Sequence, residues 1–309
     1  MKPALRSFVL ITAVALMSVF VIWGYLRAKG ALAPLHRPLK NSFTQDTAHP
    51  GPDVVSYHAL GDKGLSGSRL ERFAQLAQLS DKLVFWLDIH IDEKGNLLVD
   101  EPPTTTGSSQ APQTDGLVCS TGDAGNHNAT CGATPAETDE PLRLSDVLTQ
   151  LRKHRLILSF FGHQPGLLEV IIRDLATNPA MDRALIQSPE DGMLKDLREA
   201  QPLWLYGSSQ AQVTRLIMLA SLGLEMSAPL KGDVFVMTSQ DPEAHELERL
   251  SDSIIHEIHR REMKIYAGPA EASQINTFAQ RGIDGVLTSQ PKEYLDSATL
   301  AVAPGSRTN

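Results

Sequence analysis

Eight short apolar runs, separated for most of the chain by amphipathic stretches of helical length, constrain this sequence more than any other feature. The runs lie at 54–58, 83–91, 156–161, 184–187, 203–206, 234–238, 264–267 and 285–288. Helical periodicity occupies 69–78, 144–153, 166–176, 190–200, 210–224, 243–262 and 271–281. Strands that alternate with helices of this length need crossover connections, and crossovers of one hand make parallel sheets. Eight such units suit closure, so the expected fold is α/β, a (β/α)8 TIM barrel, ahead of an open doubly wound sheet. No G-x-G-x-x-G or Walker-type loop follows any run, which gives no support to nucleotide cradling.

The 309 residues suffice for one barrel with an N-terminal extension. Ser7 to Leu26 carries no charge, and about 20 apolar residues cross a hydrocarbon core as a helix. Trp23 and Tyr25 stand where an interfacial aromatic belt would lie. A cleaved signal peptide competes with this reading, because Ala31, Leu32 and Ala33 form an A-x-A. Arg27 and Lys29 intervene and Pro34 would follow the cut, which favours an uncleaved transmembrane helix. The expected organisation is a stub and anchor over 1–29, a tether over 30–53, the barrel over 54–296 with a loop insertion at 102–141, and a disordered tail over 297–309.

Lys2 and Arg6 on one side of the span are matched by Arg27, Lys29, Arg37 and Lys40 on the other, so the positive-inside rule does not decide orientation. Cys119 and Cys131, the only cysteines, lie close together in the polar insertion. A disulfide there implies an oxidising compartment and puts the barrel outside the cytoplasm; the alternative is two idle thiols. The bridge would be worth about 3 kcal/mol by loop closure. A net charge of -8, with 36 acidic against 28 basic residues, argues against nucleic acid as a partner.

Four segments in order resemble the glycerophosphodiester phosphodiesterase family. His58, followed at distance by Leu70 and Phe73, is similar to its H-R-G … P-E-N-T-L … A-A-F. Leu87, Asp88, Ile89 and His90, then Lys94 to Val99, resemble its E-L-D-V-H and K-D-G-x-L-V-V. Ile186, Gln187 and Ser188, with Pro202 and Leu203, resemble its fourth and fifth strands. Gly282 to Thr288 with Pro291 resemble its closing G-V-D-G-I-I-T-D-x-P. The resemblance runs from about Val54 to Leu295 and implies metal-assisted hydrolysis of a glycerophosphodiester, or of a related phospholipid-derived small molecule, in lipid metabolism. It further implies a Mg²⁺ or Ca²⁺ ion held by the E-x-D carboxylates and a third-strand Glu, with two histidines as acid and base.

On those positions the chain departs from the pattern. The first E-x-D position is Trp86, the third strand holds no carboxylate, the H-R-G arginine is Ala59, and the second histidine falls at Glu101. His58 remains as an acid or base, with Glu101 taking the second such role, and Asp88 remains as a metal ligand. Alternation puts Trp86, Asp88 and His90 on one strand face. A replacement site of His58, Asp88, His90 and Glu101 would suit a transition metal better than Mg²⁺; alternatively, His58 and Asp88 only hydrogen-bond to each other. The rival to a phosphodiesterase is a non-catalytic, membrane-anchored binding or scaffolding module.

Other candidates are weaker. His256, Glu257 and His259 have the wrong spacing for a zinc helix and read as a solvated helix face. His163 follows the third strand and reads as a loop histidine in water. Ser208 and Ser209 lack the glycine pattern of a nucleophile elbow.

Overall fold

The computed structural model describes residues 3–32, 39, 41, 43–44, 52–57, 65–99, 141–162, 166–238 and 250–295. Its strands are β1 (Asp53–Ser56), β2 (Val84–Ile91), β3 (Leu97–Val99), β4 (Leu142–Arg143), β5 (Leu156–Phe160), β6 (Ala184–Gln187), β7 (Leu205–Tyr206), β8 (Val234–Thr238), β9 (Lys264–Gly268) and β10 (Gly285–Thr288). Eight of them are parallel neighbours in the order β7-β6-β5-β2-β1-β10-β9-β8, and they coincide with the eight apolar runs. β3 and β4 form a small antiparallel ladder on the far end of β2.

The seam between β7 and β8 is a single parallel bridge, Gly207 to Val234, extended by side chains. Asp233 Oδ2 accepts from Tyr206 N at 2.9 Å. Ser208 Oγ accepts from Val236 N at 2.9 Å and donates to Val236 O at 3.1 Å. Two glycines make this approach possible, since a Cβ on Gly232 would lie 2.9 Å from the Gly207 backbone. The result is a nearly closed TIM barrel. Ser208 therefore serves the seam, while Ser209 caps the next helix.

The helices are α1 (Pro3–Leu32), α2 (Arg69–Leu79), α3 (Leu144–Gln150), α4 (Leu167–Leu175), α5 (Asp191–Ala200), α6 (Gln210–Ala220), α7 (Asp252–Arg260) and α8 (Ile275–Gln280). α2 starts at a capping box, in which Ser68 and Glu71 satisfy each other's backbone N–H. The barrel helices present one apolar stripe, such as Met193, Leu194 and Leu197 of α5, to the outer face of the sheet. The strands are apolar on both faces because helices cover one and the barrel core fills the other, as the wholly buried β5 shows.

A separate interior cluster joins Val55, Val84, Trp86, Ile157, Leu185, Leu205, Val234, Val236, Tyr266, Leu287 and Phe43. Phe43 comes from the stretch read as a tether, yet it is fully buried, 5.6 Å from the Tyr266 ring and under the Arg155 guanidinium. Nearby, Arg155 donates to both Asp53 carboxylate oxygens at 2.7 and 2.6 Å, and Tyr266 Oη donates to Asp53 Oδ2 at 2.6 Å. Burial works to raise the Asp53 carboxyl, but the Arg155 bonds and charge, with Tyr266, outweigh it and hold it below its ordinary value. Asp53 and Arg155 precede the apolar parts of their strands, so this network closes the N-terminal end of the barrel, where residues serve stability.

The α7 residues read as a solvated face are partly inside. Glu257 is buried and paired with Arg260 and Arg261 at 2.7 and 2.6 Å, because it packs toward the Glu225–Ser227 turn, whose neighbouring carbonyls take the rest of Arg261. His259 reaches Asp284 at 3.1 Å.

Candidate ligand site at the barrel mouth

β2 sets the geometry of the site. Val84 and Trp86 belong to the interior cluster, whereas Phe85, Leu87 and Ile89 face the helices. The two-residue period carries Asp88 and His90 onto the inner face, toward the C-terminal ends of the strands. There the Trp86 indole Nε1–H donates to Asp88 Oδ1 at 2.7 Å. The Tyr57 ring meets the indole edge-on at 5.1 Å. Burial, then the nearby Asp88 charge, pushes the Tyr57 phenol up to about 12, so it is a hydroxyl donor throughout the physiological range.

Polar groups continue from Asp88 across the neighbouring strands. Asp88 pairs in register with Ser159, and Ser159 with Gln187. Ile157 and Leu185 are interior, so Ser159 and Gln187 share the inner face. Gln187 Nε2 donates to Ser208 O at 3.0 Å. Among the described residues, Ser159 Oγ and Gln187 Oε1 are buried without a hydrogen-bond partner. Buried polar atoms of this kind need a partner, whether water or ligand. Sequence reasoning took neither as a site residue, Gln187 entering only as part of the fourth-strand resemblance; their signal was a polar residue at an inward position of a strand otherwise built from apolar ones.

No known family profile matches the chain, and no curated protein does. Solved structures match well. The glycerophosphoryl diester phosphodiesterase domain of a Mycobacterium tuberculosis protein superposes with a TM-score of 0.58 at 12% identity, covering 80% of this chain and 99% of its own. A glycerophosphodiester phosphodiesterase from Galdieria sulphuraria gives 0.55 at 12% identity, over 80% and 98% of the two chains. A phosphodiesterase from Oleispira antarctica, in complex with the product sn-glycerol-3-phosphate, gives 0.53 at 14% identity, over 81% and 97%. The fold is that of the glycerophosphodiester phosphodiesterases.

Of the site residues expected from the sequence, Asp88 and His90 are described and lie on one face of β2. His58, Glu101, His163, Cys119 and Cys131 fall outside the described residues, as does the insertion. One donor to Asp88 is Trp86, the residue aligned in sequence with the first E-x-D position. β5, the third strand of the barrel, reads Leu-Ile-Leu-Ser-Phe and brings Ser159 to the place beside Asp88. No three His, Cys, Asp or Glu side chains cluster among the described residues. Among the described residues, this place holds an indole, a hydroxyl and one carboxylate, whereas Mg²⁺ and Ca²⁺ favour several oxygen ligands. At the N-terminus, α1 contains one stretch, Leu10–Leu32, long and apolar enough to span a membrane.

Proposed function

We propose that this chain is a membrane-anchored barrel of the glycerophosphodiester phosphodiesterase type that takes a glycerophosphodiester, or a related phospholipid-derived small molecule, at its mouth without cleaving it. The carrying observation is the 2.7 Å bond from Trp86 Nε1 to Asp88 Oδ1. A divalent cation held through Asp88 Oδ1 would compete with that donor and leave a buried indole N–H unpaired, at a cost of about 1–3 kcal/mol. It would also find a serine where a second carboxylate is needed. The polar row of Asp88, Ser159 and Gln187 supports a ligand rich in hydroxyl and phosphate oxygens. So does the sn-glycerol-3-phosphate bound to the Oleispira antarctica phosphodiesterase. In this reading α1 remains uncleaved, Cys119 and Cys131 form a disulfide in the insertion, and the barrel lies on the extracytoplasmic side.

A second reading keeps hydrolysis. It is favoured by the placement of Asp88 and His90 on one strand face, from which they could join His58 and Glu101 around a transition metal. The two are separated by assaying the full chain against glycerophosphodiesters over Mg²⁺, Ca²⁺, Mn²⁺ and Zn²⁺, with calorimetric binding of the same compounds. Binding without turnover supports the first reading. Turnover abolished by Asp88→Ala supports the second.

A further inference from the structure

The C-terminal part of α1 packs directly on the barrel. Trp23 Nε1 donates to Leu222 O at 2.9 Å, and Ser227 Oγ donates to Leu26 O at 2.7 Å. Gly30 lies so close to the Glu225–Ser227 turn that a Cβ there would stand 2.7 Å from the Met226 carbonyl carbon. We propose that the barrel is seated on the bilayer by this end, with Met218 and Leu222 sunk into the membrane interface beside the anchor. The inference rests on α1 being a membrane span.

Depth follows from the helix itself. Arg27 is the first charge after the apolar run and lies 5.2 Å over the Trp23 ring, so it marks the headgroup level. Trp23 is one turn nearer the bilayer centre, about 6 Å along the axis. Leu222, hydrogen-bonded to Trp23, shares that depth, at the boundary where indole and acyl chains meet. Its side chain is 62% exposed, and Met218, four residues before it, is 64% exposed. Tyr25 on the anchor is likewise exposed at this level. Arg215 and Thr214 follow one turn up α6, in a groove of ≈ 760 Å³ that also includes Met218 and Leu222. Apolar groups near the anchor and a cation above them match the gradient from acyl chain to phosphate.

The seat lies opposite the mouth. α6 leaves the C-terminal end of β7 and descends, so its last turn and Leu222 lie at the N-terminal end of the barrel, the end that Phe43 plugs. A barrel seated there opens its mouth to water, and the ligand of that mouth is drawn from solution.

The test uses the full chain in nanodiscs of phosphatidylcholine and phosphatidylglycerol, with hydroxyl-radical oxidation of methionines read by peptide mass spectrometry. Met17 of the span is 69% exposed to protein-free space and Met193 of the barrel core only 4%. The proposal expects Met218 to oxidise as slowly as Met193 and Met17, at least about tenfold more slowly than an exposed thioether. It also expects a diazirine carried on a phosphatidylcholine acyl chain to label the peptide 216–224. Rapid Met218 oxidation with Met17 protected overturns the seat while the span stands. Rapid oxidation of Met17 overturns both. Protection of Met218 without acyl-chain labelling overturns the seat as well, since protein then covers that face.

Discussion

Trp86 donates its indole N–H to Asp88 Oδ1 two residues along the same strand, at 2.7 Å. Trp86→Phe should therefore cost about 1.5–3 kcal/mol in urea unfolding, the range for a hydrogen bond to a charged group. In an Asp88→Asn background the same substitution should cost less, and the double-mutant cycle measures the difference.

Asp53 and Arg155 pair at the plugged end of the barrel, with side chains only 13% and 11% exposed. Asp53→Asn leaves a buried guanidinium without its counter-ion and should lower stability by about 3–5 kcal/mol. The Asp53 carboxyl is held below its ordinary 3.8, so its contribution is present above that pH and is lost as pH falls through the folded-state value. Acid titration of the unfolding midpoint should show a loss in that window that Asp53→Asn lacks.

Phe43 belongs to the barrel interior although it precedes the first strand by ten residues. Phe43→Ala should cost about 3–5 kcal/mol, the loss for a fully buried aromatic ring. A Phe43→Leu variant should recover most of it, which separates cavity formation from a fault in the connecting chain.

His259 is raised above its ordinary 6.5, first by its hydrogen bond to Asp284, against some burial. A raised histidine stabilises fully below its unfolded value and loses that contribution as pH rises through the folded one. The stability gap between wild type and His259→Gln should thus be wider at pH about 6 than at pH about 9. The gap is small, because the ring is 39% exposed and solvent screens the pair.

The barrel was legible in the sequence because each of its eight parallel strands is an apolar run and most are followed by an amphipathic helix, and both patterns are local. Asp88 and His90 were also legible, since strand alternation fixes their common face. What stood outside reach was set by contacts across distant parts of the chain. The Phe43 plug looked like linker, as its neighbours are polar and aperiodic. Glu257 looked solvent-facing, because its partner Arg261 and the carbonyls of Met226 and Ala228 gather only in the fold. Trp86 was visible on the same strand face as Asp88, but its role as a donor to Asp88 needed the strand's actual rotamers.

The central claim is that Asp88 is satisfied by Trp86 and not by a cation. Crystals of the protein grown with Mn²⁺ test it most directly, by anomalous scattering at the barrel mouth. The account predicts an indole nitrogen within hydrogen-bonding distance of Asp88 and no manganese peak beside it. A well-occupied manganese coordinated by Asp88, with the indole turned away, would contradict it.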